Sequence, residues 1–471
     1  MFSGKSAVFK HPWLPNSPEK LKKKMLEEIG VRDPLELYSD VPREVLLKRP
    51  LRAGLGRSLS EIEVRRYIEK ILSKNKVFTS PPPFMGGGIC AHYVPSAVKW
   101  ITSRSEFLTA YTPYQAEISQ GLLQALFEYQ SLVADLLEMD VVNASMYDGS
   151  TSVAESFLMA VRVTRKNRIL VPETMNPQYL EVARTWTQGK NIVINDVRVD
   201  RETGFIDLED LKEKISKKDV AGVYVEYPGF LGVIDENIRD AGEIAHEYGS
   251  LFIVGFEPLS LGILEPPGRL GADIAVGEGQ PLGIGLNYGG PYLGIFATRW
   301  DRRLVRQMPG RLIGLTEDIE GNRAFAMILQ SREQHIRRER ATSNITTNEA
   351  LMAIAAAVYL SLLGREGITK LAEHITLKAA YTARRLNSIA GVRAPVFNSK
   401  HFKEFCAKFP VPYRELYKYL LERGVLSGYY VGDKFPWLGE SALFCVTEMH
   451  SLEDIKILIE LIEEYINKHE R

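Results

Sequence analysis

The chain has 471 residues, of which 45% are hydrophobic and 25% charged, a composition typical of a globular protein with a large core. Basic and acidic residues both total 59, which argues against a nucleic-acid or anionic-membrane partner and is compatible with an oligomer. The three cysteines lack paired spacing and no HExxH pattern occurs, so we expect neither a disulfide framework nor a metal site. MFSGKSAVFKHPW at the N-terminus lacks the apolar core of a signal peptide, and we expect a cytoplasmic protein.

Residues 1 to about 75 are predicted to form a helical arm. In SPEKLKKKMLEEIGV, Ser17 has the character of a helix cap and Pro18 suits the first turn, and apolar residues follow at helical spacing. In SLSEIEVRRYIEKILSKN, Ser60 and Glu63 have the spacing of a capping box. The irregular segment between the helices indicates either an arm that wraps a partner or an ordinary helical subdomain, and the pattern leaves both open.

Residues 76 to 346 alternate between strand and helix patterns. Six short apolar, β-branched runs are predicted strands: RILVPE, NIVINDV, VAGVYVEYP, SLFIVGFE, DIAVG and YLGIFAT. They lack the strict alternation of a half-exposed sheet, as is typical of a parallel sheet that is buried on both faces. The pattern therefore predicts a large, doubly wound α/β domain.

Residues 347 to 471 are predicted to form a linker helix and a small C-terminal α/β domain. The helix starts at about Thr347 and contains the apolar run 350–364, which is too short to span a bilayer comfortably and indicates a buried helix. Beyond it, LYKYLLERG and LEDIKILIELIEEYINK have helical patterns. GVRAPVF and ALFCVTEM are predicted strands.

Several stretches together resemble one known family: FMGGGICAHYVPSAVKWITSRSEFLTAYTPYQAEISQGLLQALFEYQ, MYDGSTSVAESFLMA, GEGQPLGIGLNYGGPYLGIFATR, SREQHIRRERATSNITTNEAL and the N-terminal PREVLLKRPL. The chain is similar over nearly its whole length to the P-protein of the glycine cleavage system, a decarboxylating glycine dehydrogenase, and in particular to subunit 1 of the split form. The resemblance implies the aspartate-aminotransferase-like fold, which is fold type I of pyridoxal-phosphate enzymes. It also implies decarboxylation of glycine, with transfer of the aminomethyl group to the lipoyl group of the H protein.

The lysine that this chemistry needs is missing from the region in which the fold supplies it. Pyridoxal phosphate reacts through an imine, and its ring then serves as an electron sink. No lysine occurs between Lys218 and Lys370, and the arginines there stay protonated and form no imine. The resemblance therefore implies that the cofactor is bound by a homologous lysine-bearing partner, subunit 2, in an α2β2 assembly.

Three further positions depart from the pattern of an active subunit. Glu257 stands where an aspartate normally keeps the pyridine nitrogen protonated, and Thr151 stands where a histidine or aromatic ring normally stacks on the cofactor. The strand ALFCVTEM has no arginine for a substrate carboxylate. These changes predict a chain that does not run the chemistry alone. For the glycines of the altered loop we expect turns and close packing rather than a phosphate cradle: Gly283, Gly285, Gly289 and Gly290.

The segment RERATSN lies where this fold sends a loop towards the cofactor of the neighbouring subunit. Thr342, with Ser343 and Asn344, is therefore our candidate for contacting the phosphate of the partner-bound pyridoxal phosphate. A hydroxyl group and backbone amides at a helix start suit an anion. The alternative is a helix cap, because TSN precedes the apolar run of the next helix.

Two other segments carry candidate residues for the partner's site. In MGGGICAHYVPSAV, three glycines allow close backbone approach, and His92 or Tyr93 is a candidate for lining the glycine pocket. The alternative for both is a structural role. In AYTPYQ, Tyr111 and Tyr114 belong to an aromatic–polar cluster that suits an interface, and ordinary loop packing is the alternative.

The segment SREQHIRRERA is dense in charge. Glu333 and Arg337 are four residues apart, as are His335 and Glu339, so the pattern favours a solvated helix with paired charges. The alternative is that four arginines face the cofactor phosphate or an acidic lipoyl carrier: Arg332, Arg337, Arg338 and Arg340.

Three functions are compatible with these patterns. The first is a catalytically incomplete subunit of a glycine decarboxylase, which works with a lysine-bearing partner and the H protein. The second is a stand-alone pyridoxal-phosphate lyase or transferase that uses an unexpected lysine, such as Lys99 or Lys166. The third is a non-catalytic scaffold. The missing lysine favours the first over the second.

Overall fold

The computed structural model describes residues 13–46, 55, 59–108, 112–345 and 349–469. They fall into two units, which meet in sequence between Val77 and Phe78. The described helices are α1 (Glu19–Ile29), α2 (Glu61–Leu72), α3 (Ser96–Thr102), α4 (Ser105–Leu108), α5 (Gln120–Leu137), α6 (Gly149–Thr164), α7 (Pro177–Thr187), α8 (Leu208–Ile215), α9 (Ile238–Glu247), α10 (Arg302–Val305), α11 (Gln334–Arg337), α12 (Ala350–Asn387), α13 (Tyr413–Glu422) and α14 (Leu452–His469). The strands are β1 (Val141–Val142), β2 (Arg168–Pro172), β3 (Val193–Val197), β4 (Val220–Tyr227), β5 (Leu251–Phe256), β6 (Ile274–Glu278), β7 (Gly294–Thr298), β8 (Leu312–Glu317), β9 (Arg323–Ile328), β10 (Glu404–Lys408), β11 (Tyr429–Tyr430) and β12 (Ser441–Cys445).

The N-terminal unit contains α1 and α2. The capping box at the start of α2 is confirmed, because the Ser60 amide donates to the Glu63 carboxylate at 2.9 Å. The cap predicted at Ser17 is wrong: α1 begins at Glu19 with Pro18 in the cap position, which has no side-chain cap hydrogen bond. No residue of α1 or α2 is buried, although both helices carry large apolar side chains.

A seven-stranded sheet in the order β1-β7-β6-β5-β4-β2-β3 forms the centre of the second unit. All six strands predicted from the apolar runs are confirmed, as β2 to β7. Strands β2 to β6 are parallel to one another, whereas β7 is antiparallel to both β6 and β1. The parallel prediction is thus wrong for β7, because the glycine-rich segment 279–293 contains no α-helix to make a crossover.

Helices cover both faces of this sheet. Phe252 and Val254 of β5 pack into the core that includes α5, α9 and α12. Ile253, which points to the opposite face, packs with α6 and α7. Every second residue of the strand therefore meets a different helical layer, which explains why the strand sequences show no polar–apolar alternation. The predicted doubly wound α/β fold is confirmed.

The long helix α12 leads into the C-terminal part of the chain. Its described portion begins at Ala350; the predicted start at Thr347 lies outside the described residues. The helix is long and apolar enough to meet a length-and-composition criterion for a membrane span, but Ala353 to Ala357 are buried against the core of the sheet, as predicted for a buried helix. A kink occurs at Gly364, which has a φ of 58°.

The C-terminal sheet is antiparallel, with the order β10-β12-β11, and it packs with α13 and α14 in a core of its own. The strand predicted in ALFCVTEM is confirmed as β12, and both predicted helices are present. The strand predicted in GVRAPVF is wrong, because that segment makes an isolated bridge between Arg393 and Lys408 and a separate backbone hydrogen bond from Val396 to Cys406, but no continuous ladder. Pro395, which has no N–H to donate, interrupts any longer ladder.

One disulfide joins distant parts of the sequence. Cys90 and Cys445, which are 355 positions apart, are bonded to each other, and Cys406 is a free, buried cysteine. Although no disulfide framework was expected, the structure thus contains one long-range disulfide. Spacing rules recognise motifs of nearby cysteines, and this pair meets only because β12 lies against residues 84–86.

Candidate functional site

Three neighbouring parallel strands end in glutamates. Glu226 lies at the end of β4, Glu257 follows β5 directly, and Glu278 ends β6. Parallel strands place their carboxyl ends at one edge of the sheet, where doubly wound proteins bind ligands. Glu404, the first residue of β10, adds a fourth carboxylate. The four line a cavity of about 80 Å³, which we call the carboxylate cavity, together with Gly88, Asn176, Tyr179, Tyr224, Phe230 and other residues.

Glu278 occupies the amino terminus of α6. One of its oxygens accepts from the Gly149 amide at 2.9 Å, and the other accepts from the amides of Gln280 and Leu293 at 2.9 and 3.3 Å. The amino end of a helix attracts anions, and here its first amide donates to a carboxyl group of the chain itself. Burial is the main cause that raises the pKa of Glu278 to about 8.

Glu226 and Glu404 likewise accept hydrogen bonds from backbone amides. Glu226 accepts from the amides of Asn176 and Phe230, each at 3.1 Å, and from the Tyr224 hydroxyl at 3.2 Å. Glu404 accepts from the amides of Gly87 and Gly88 at 2.6 and 3.2 Å. Burial raises the pKa of Glu226 to about 7 and also raises the pKa of Glu404.

Glu257 belongs to a chain of buried charged and polar groups. Lys403 donates to Glu257 at 2.8 Å, and its ammonium nitrogen lies 3.2 Å from Nε2 of His92. The other ring nitrogen of His92 lies 3.0 Å from the Glu448 carboxylate. Lys403 is only 1% exposed, so its charge is compensated by Glu257 rather than by water. A buried ammonium group requires such compensation.

Pyridoxal phosphate does not fit the carboxylate cavity. No lysine is among the described residues that line it, and the Gly149 amide that would face a phosphate is taken by Glu278. A volume of about 80 Å³ is also below the roughly 300–1,000 Å³ of small-molecule sites. The two lysines of the stand-alone hypothesis do not line it: Lys99 is exposed on α3, and Lys166 donates to the carbonyl groups of Tyr248 and Gly249.

The cap alternative for the TSN segment is wrong, because α12 is preceded by Glu349 in the cap position. The Thr342 amide donates to the Arg332 carbonyl at 3.0 Å, and its hydroxyl lies 3.4 Å from the same oxygen. The Ser343 hydroxyl donates to the buried Glu155 of α6 at 2.6 Å. Asn344 is exposed and accepts from the Gln334 side chain at 3.2 Å.

The other candidate residues lie in two places. His92 is held between Lys403 and Glu448, and Tyr93, which is 58% exposed, donates its amide to Glu448 at 2.7 Å. The Tyr114 hydroxyl accepts from Arg311 at 2.8 Å, and Arg311 forms an ion pair with Glu333. Glu333 follows Arg332, whose carbonyl accepts from Thr342. Tyr111 lies outside the described residues. The structure thus brings Tyr114 near the TSN segment and places His92 and Tyr93 against the C-terminal part of the chain.

The predicted charged helix is wrong in its extent and its pairs. Only 334–337 form an α-helix, and Glu333 pairs with Arg311 instead of Arg337. Arg332 is buried and donates to the carbonyl groups of Met308 and Gly310, so it serves the fold rather than a phosphate. Thr151, at the missing stacking position, bonds the capping Asp148 of α6.

The site residues predicted from the sequence did not include Glu226, Glu278, Glu404 and Lys403. For two of them a signal was present, because the predicted strands VAGVYVEYP and DIAVG each run into a glutamate at the carboxyl end. A charged residue at that point of a buried strand is uncommon enough to mark a site. Glu404 and Lys403 gave no such signal, since their position at this edge depends on the docking of the C-terminal sheet.

Comparison with known proteins gives concordant results. A family model described as the glycine cleavage system P-protein matches residues 12–462. The probable glycine dehydrogenase (decarboxylating) subunit 1 of Aeropyrum pernix is 59% identical over 458 residues, covering 96% of this chain and 98% of that protein. A crystal structure of glycine decarboxylase (P-protein) of the glycine cleavage system, in inhibitor-bound form, matches with a TM-score of 0.86 and 37% identity, covering 97% and 99% of the two chains. A cysteine desulfurase from Thermococcus onnurineus shares the fold alone, with a TM-score of 0.61, 18% identity and coverage of 86% and 98%.

Replacing Lys403 should show that the buried charge chain stabilises the fold. We expect Lys403→Met to lower the free energy of unfolding by about 3–5 kcal/mol, because it leaves the Glu257 carboxylate, which is 16% exposed, without its partner. The control is Lys400→Met, whose side chain is 81% exposed beside Glu236 and which should change stability by less than about 0.5 kcal/mol. Urea unfolding of both variants measures the difference, and equal losses would contradict the assignment.

The carboxylate cavity should make stability fall as pH rises. Carboxyl groups whose pKa is raised on folding bind more protons in the folded than in the unfolded state, so stability is greatest below the unfolded pKa and decreases towards the folded values of about 7 for Glu226 and about 8 for Glu278. We expect Glu278→Gln to remove up to about 1.4 kcal/mol per pH unit of that slope between pH 5 and 8. Urea unfolding at several pH values measures it. Glu243→Gln, at an exposed position of α9, is the control, and an unchanged slope in Glu278→Gln would contradict the prediction.

Proposed function

Because the chain belongs to the glycine cleavage system P-protein family, we propose that it is the lysine-free subunit 1 of a two-subunit glycine decarboxylase and completes the cofactor site of a lysine-bearing partner. The observation that carries this proposal is the carboxylate cavity. The glutamates at its edge accept the hydrogen bonds of backbone amides that an anion would need. No lysine is among the described residues that line the cavity. The enzyme depends on pyridoxal phosphate, and we assign its binding to subunit 2.

The N-terminal unit supports a stable partner. Its helices expose leucine, isoleucine, methionine and valine side chains, including Leu21, Met25, Ile29, Ile62 and Ile68, each more than 40% exposed. Helices with an apolar face normally bury it, and contiguous exposed apolar surface marks interaction sites. We propose that this unit is the arm that contacts subunit 2, in an α2β2 assembly.

We propose that the TSN segment, residues 342–344, contacts the phosphate of the cofactor bound by the partner. Thr342 is half-buried, and the hydrogen bond that its hydroxyl makes within the described part of the chain is long, 3.4 Å to the Arg332 carbonyl. Such a bond is readily exchanged for one to a charged phosphate oxygen, which binds a donor more strongly. Ser343 anchors the segment to α6 through Glu155, so the loop carries Thr342 on a fixed base. We propose that Asn344, which is exposed, lies at the same interface.

The proposed complex acts with the H protein. Pyridoxal phosphate on subunit 2 supplies an electron sink for the decarboxylation of glycine, and the lipoyl group of the H protein accepts the aminomethyl group. The contribution of this chain is to position groups at the partner's site and to exclude water there. A purely scaffolding role is the alternative, and it predicts that substitution of Thr342 leaves the activity unchanged.

Reductive trapping tests where the cofactor is bound. Pyridoxal phosphate is added to the purified chain alone and to the chain mixed with its lysine-bearing partner, and each sample is reduced with borohydride and mapped by mass spectrometry. We expect no stoichiometric adduct on this chain and one adduct on a lysine of the partner, because only an amine forms the imine. A stoichiometric adduct on the isolated chain would contradict the proposal and favour a stand-alone enzyme.

Substitution of Thr342 tests its proposed contact. In the mixture of both subunits, we expect Thr342→Ala to weaken pyridoxal-phosphate binding by about tenfold, the effect of losing one hydrogen bond to a charged group, and to lower glycine-dependent exchange of carbon dioxide. Thr185→Ala, at an exposed position of α7, is the matched control. Unchanged affinity and exchange rate in Thr342→Ala would instead favour the scaffold alternative.

A further inference from the structure

Two buried arginines join the segment before β8 to the segment that leads to the TSN segment. Arg332 is 7% exposed, and its guanidinium group donates to the carbonyl groups of Met308 and Gly310. Arg311 is 1% exposed and donates in the opposite direction, to the Glu333 carboxylate at 2.5 Å. Each segment thus contributes one buried arginine that bonds the other segment. We call these contacts the arginine clasp.

The arginine clasp fixes the group to which Thr342 is bonded. The Thr342 amide donates to the Arg332 carbonyl at 3.0 Å, and the Thr342 hydroxyl lies 3.4 Å from the same oxygen. That carbonyl belongs to the peptide group between Arg332 and Glu333, and both of these side chains take part in the clasp. The position of the Thr342 hydroxyl therefore depends on contacts in which the Thr342 side chain has no part.

Tyr114 extends the arginine clasp towards the surface. Arg311 donates to the Tyr114 hydroxyl at 2.8 Å, and its guanidinium carbon lies 4.8 Å from the centroid of the Tyr114 ring. The His335 ring meets the same ring edge to face, with centroids 5.6 Å apart. Arg311 thus contacts a carboxylate and an aromatic ring at once. A planar guanidinium group with its fork of donors makes both contacts, whereas a lysine ammonium group does not.

We propose that Arg311 is a positioning residue for glycine decarboxylation, which acts through Glu333 and Arg332 to place the Thr342 hydroxyl where it meets the partner's cofactor. This inference rests on the proposed function, because it requires that Thr342 contacts the phosphate. Arg311 is buried within its own chain, so its contribution is made through Thr342. A hydroxyl group that is already held in place loses little conformational freedom on binding, which improves affinity.

The energetics of the ion pair fit a positioning role better than a stabilising one. Apolar side chains of similar volume often stabilise a fold as well as a buried ion pair does, or better. In addition, Glu333 is 6% exposed, and one of its oxygens has no hydrogen-bond partner among the described residues, which costs free energy. The geometry that the pair fixes, rather than its stability, accounts for its presence beneath the TSN segment.

A double-mutant cycle on the affinity for pyridoxal phosphate tests this role in the mixture of both subunits. The cofactor-free mixture is titrated with pyridoxal phosphate for the unmodified chain, Arg311→Lys, Thr342→Ala and the double variant. Lysine keeps the charge and loses the planar fork. We expect Arg311→Lys to weaken binding by about fivefold, less than the roughly tenfold effect of Thr342→Ala, because it displaces the hydroxyl group without removing it.

The double variant separates positioning from a general structural effect. If Arg311 acts through Thr342, the double variant binds the cofactor about as weakly as Thr342→Ala alone, since no hydroxyl group is left to position. Effects that multiply, to a loss of about fiftyfold, would overturn the positioning role and leave the contact of Thr342 with the phosphate intact. Unchanged affinity in Thr342→Ala would overturn that contact, and the positioning role with it.

Hydrogen exchange on the chain alone gives a readout that needs neither cofactor nor partner. We expect Arg311→Lys to speed amide exchange in peptides that cover residues 338–344 by about tenfold, and to leave β4 to β6 unchanged. Arg306→Lys, at an exposed position after α10, is the matched control and should alter neither exchange nor affinity. If Arg311→Lys fails to fold, Glu333→Gln, which keeps the side-chain volume and an acceptor oxygen, replaces it with the same expected results. Unchanged exchange or unchanged affinity in the substituted chain would overturn the proposal.

Discussion

The amino terminus of α6 and the carboxylate of Glu278 form the interaction on which the functional site depends. The first amides of a helix need acceptors, and the helix dipole favours a negatively charged one. Here Asp148 and Glu278 supply both acceptors from within the chain. The edge of the sheet at which this fold binds ligands is therefore closed by the protein itself. This closed edge supports our proposal that the cofactor is bound by another subunit.

The elements of the large sheet could be predicted from sequence, whereas the contacts of the site could not. Strands β2 to β7 were recognised because an apolar, β-branched run is a local property of the chain. The direction of β7, the bond between Cys90 and Cys445, and the pairing of Lys403 with Glu257 each depend on which distant residues meet. The absence of a lysine was visible in the sequence, but the carboxyl groups that line the cavity were not.

The candidate residues illustrate the same limit. His92 was a candidate for lining the glycine pocket, and the structure places it between Lys403 and Glu448, where it is almost fully buried. Arg332 was considered as a phosphate ligand and instead supports two carbonyl groups of its own chain. Among the described residues, the Thr342 hydroxyl makes a long hydrogen bond to the Arg332 carbonyl. A histidine, an arginine or a threonine in a motif shows that a hydrogen-bonding group is present. The surrounding donors and acceptors decide whether that group already has a partner in its own chain.

Glu404 connects the two features that close the cavity. It lines the cavity and accepts hydrogen bonds from the amides of Gly87 and Gly88, and it lies beside the bond between Cys90 and Cys445. Both features hold residues 87–90 against the C-terminal sheet. The cavity is thus closed by contacts within this chain, which supports our proposal that the partner binds the anionic cofactor.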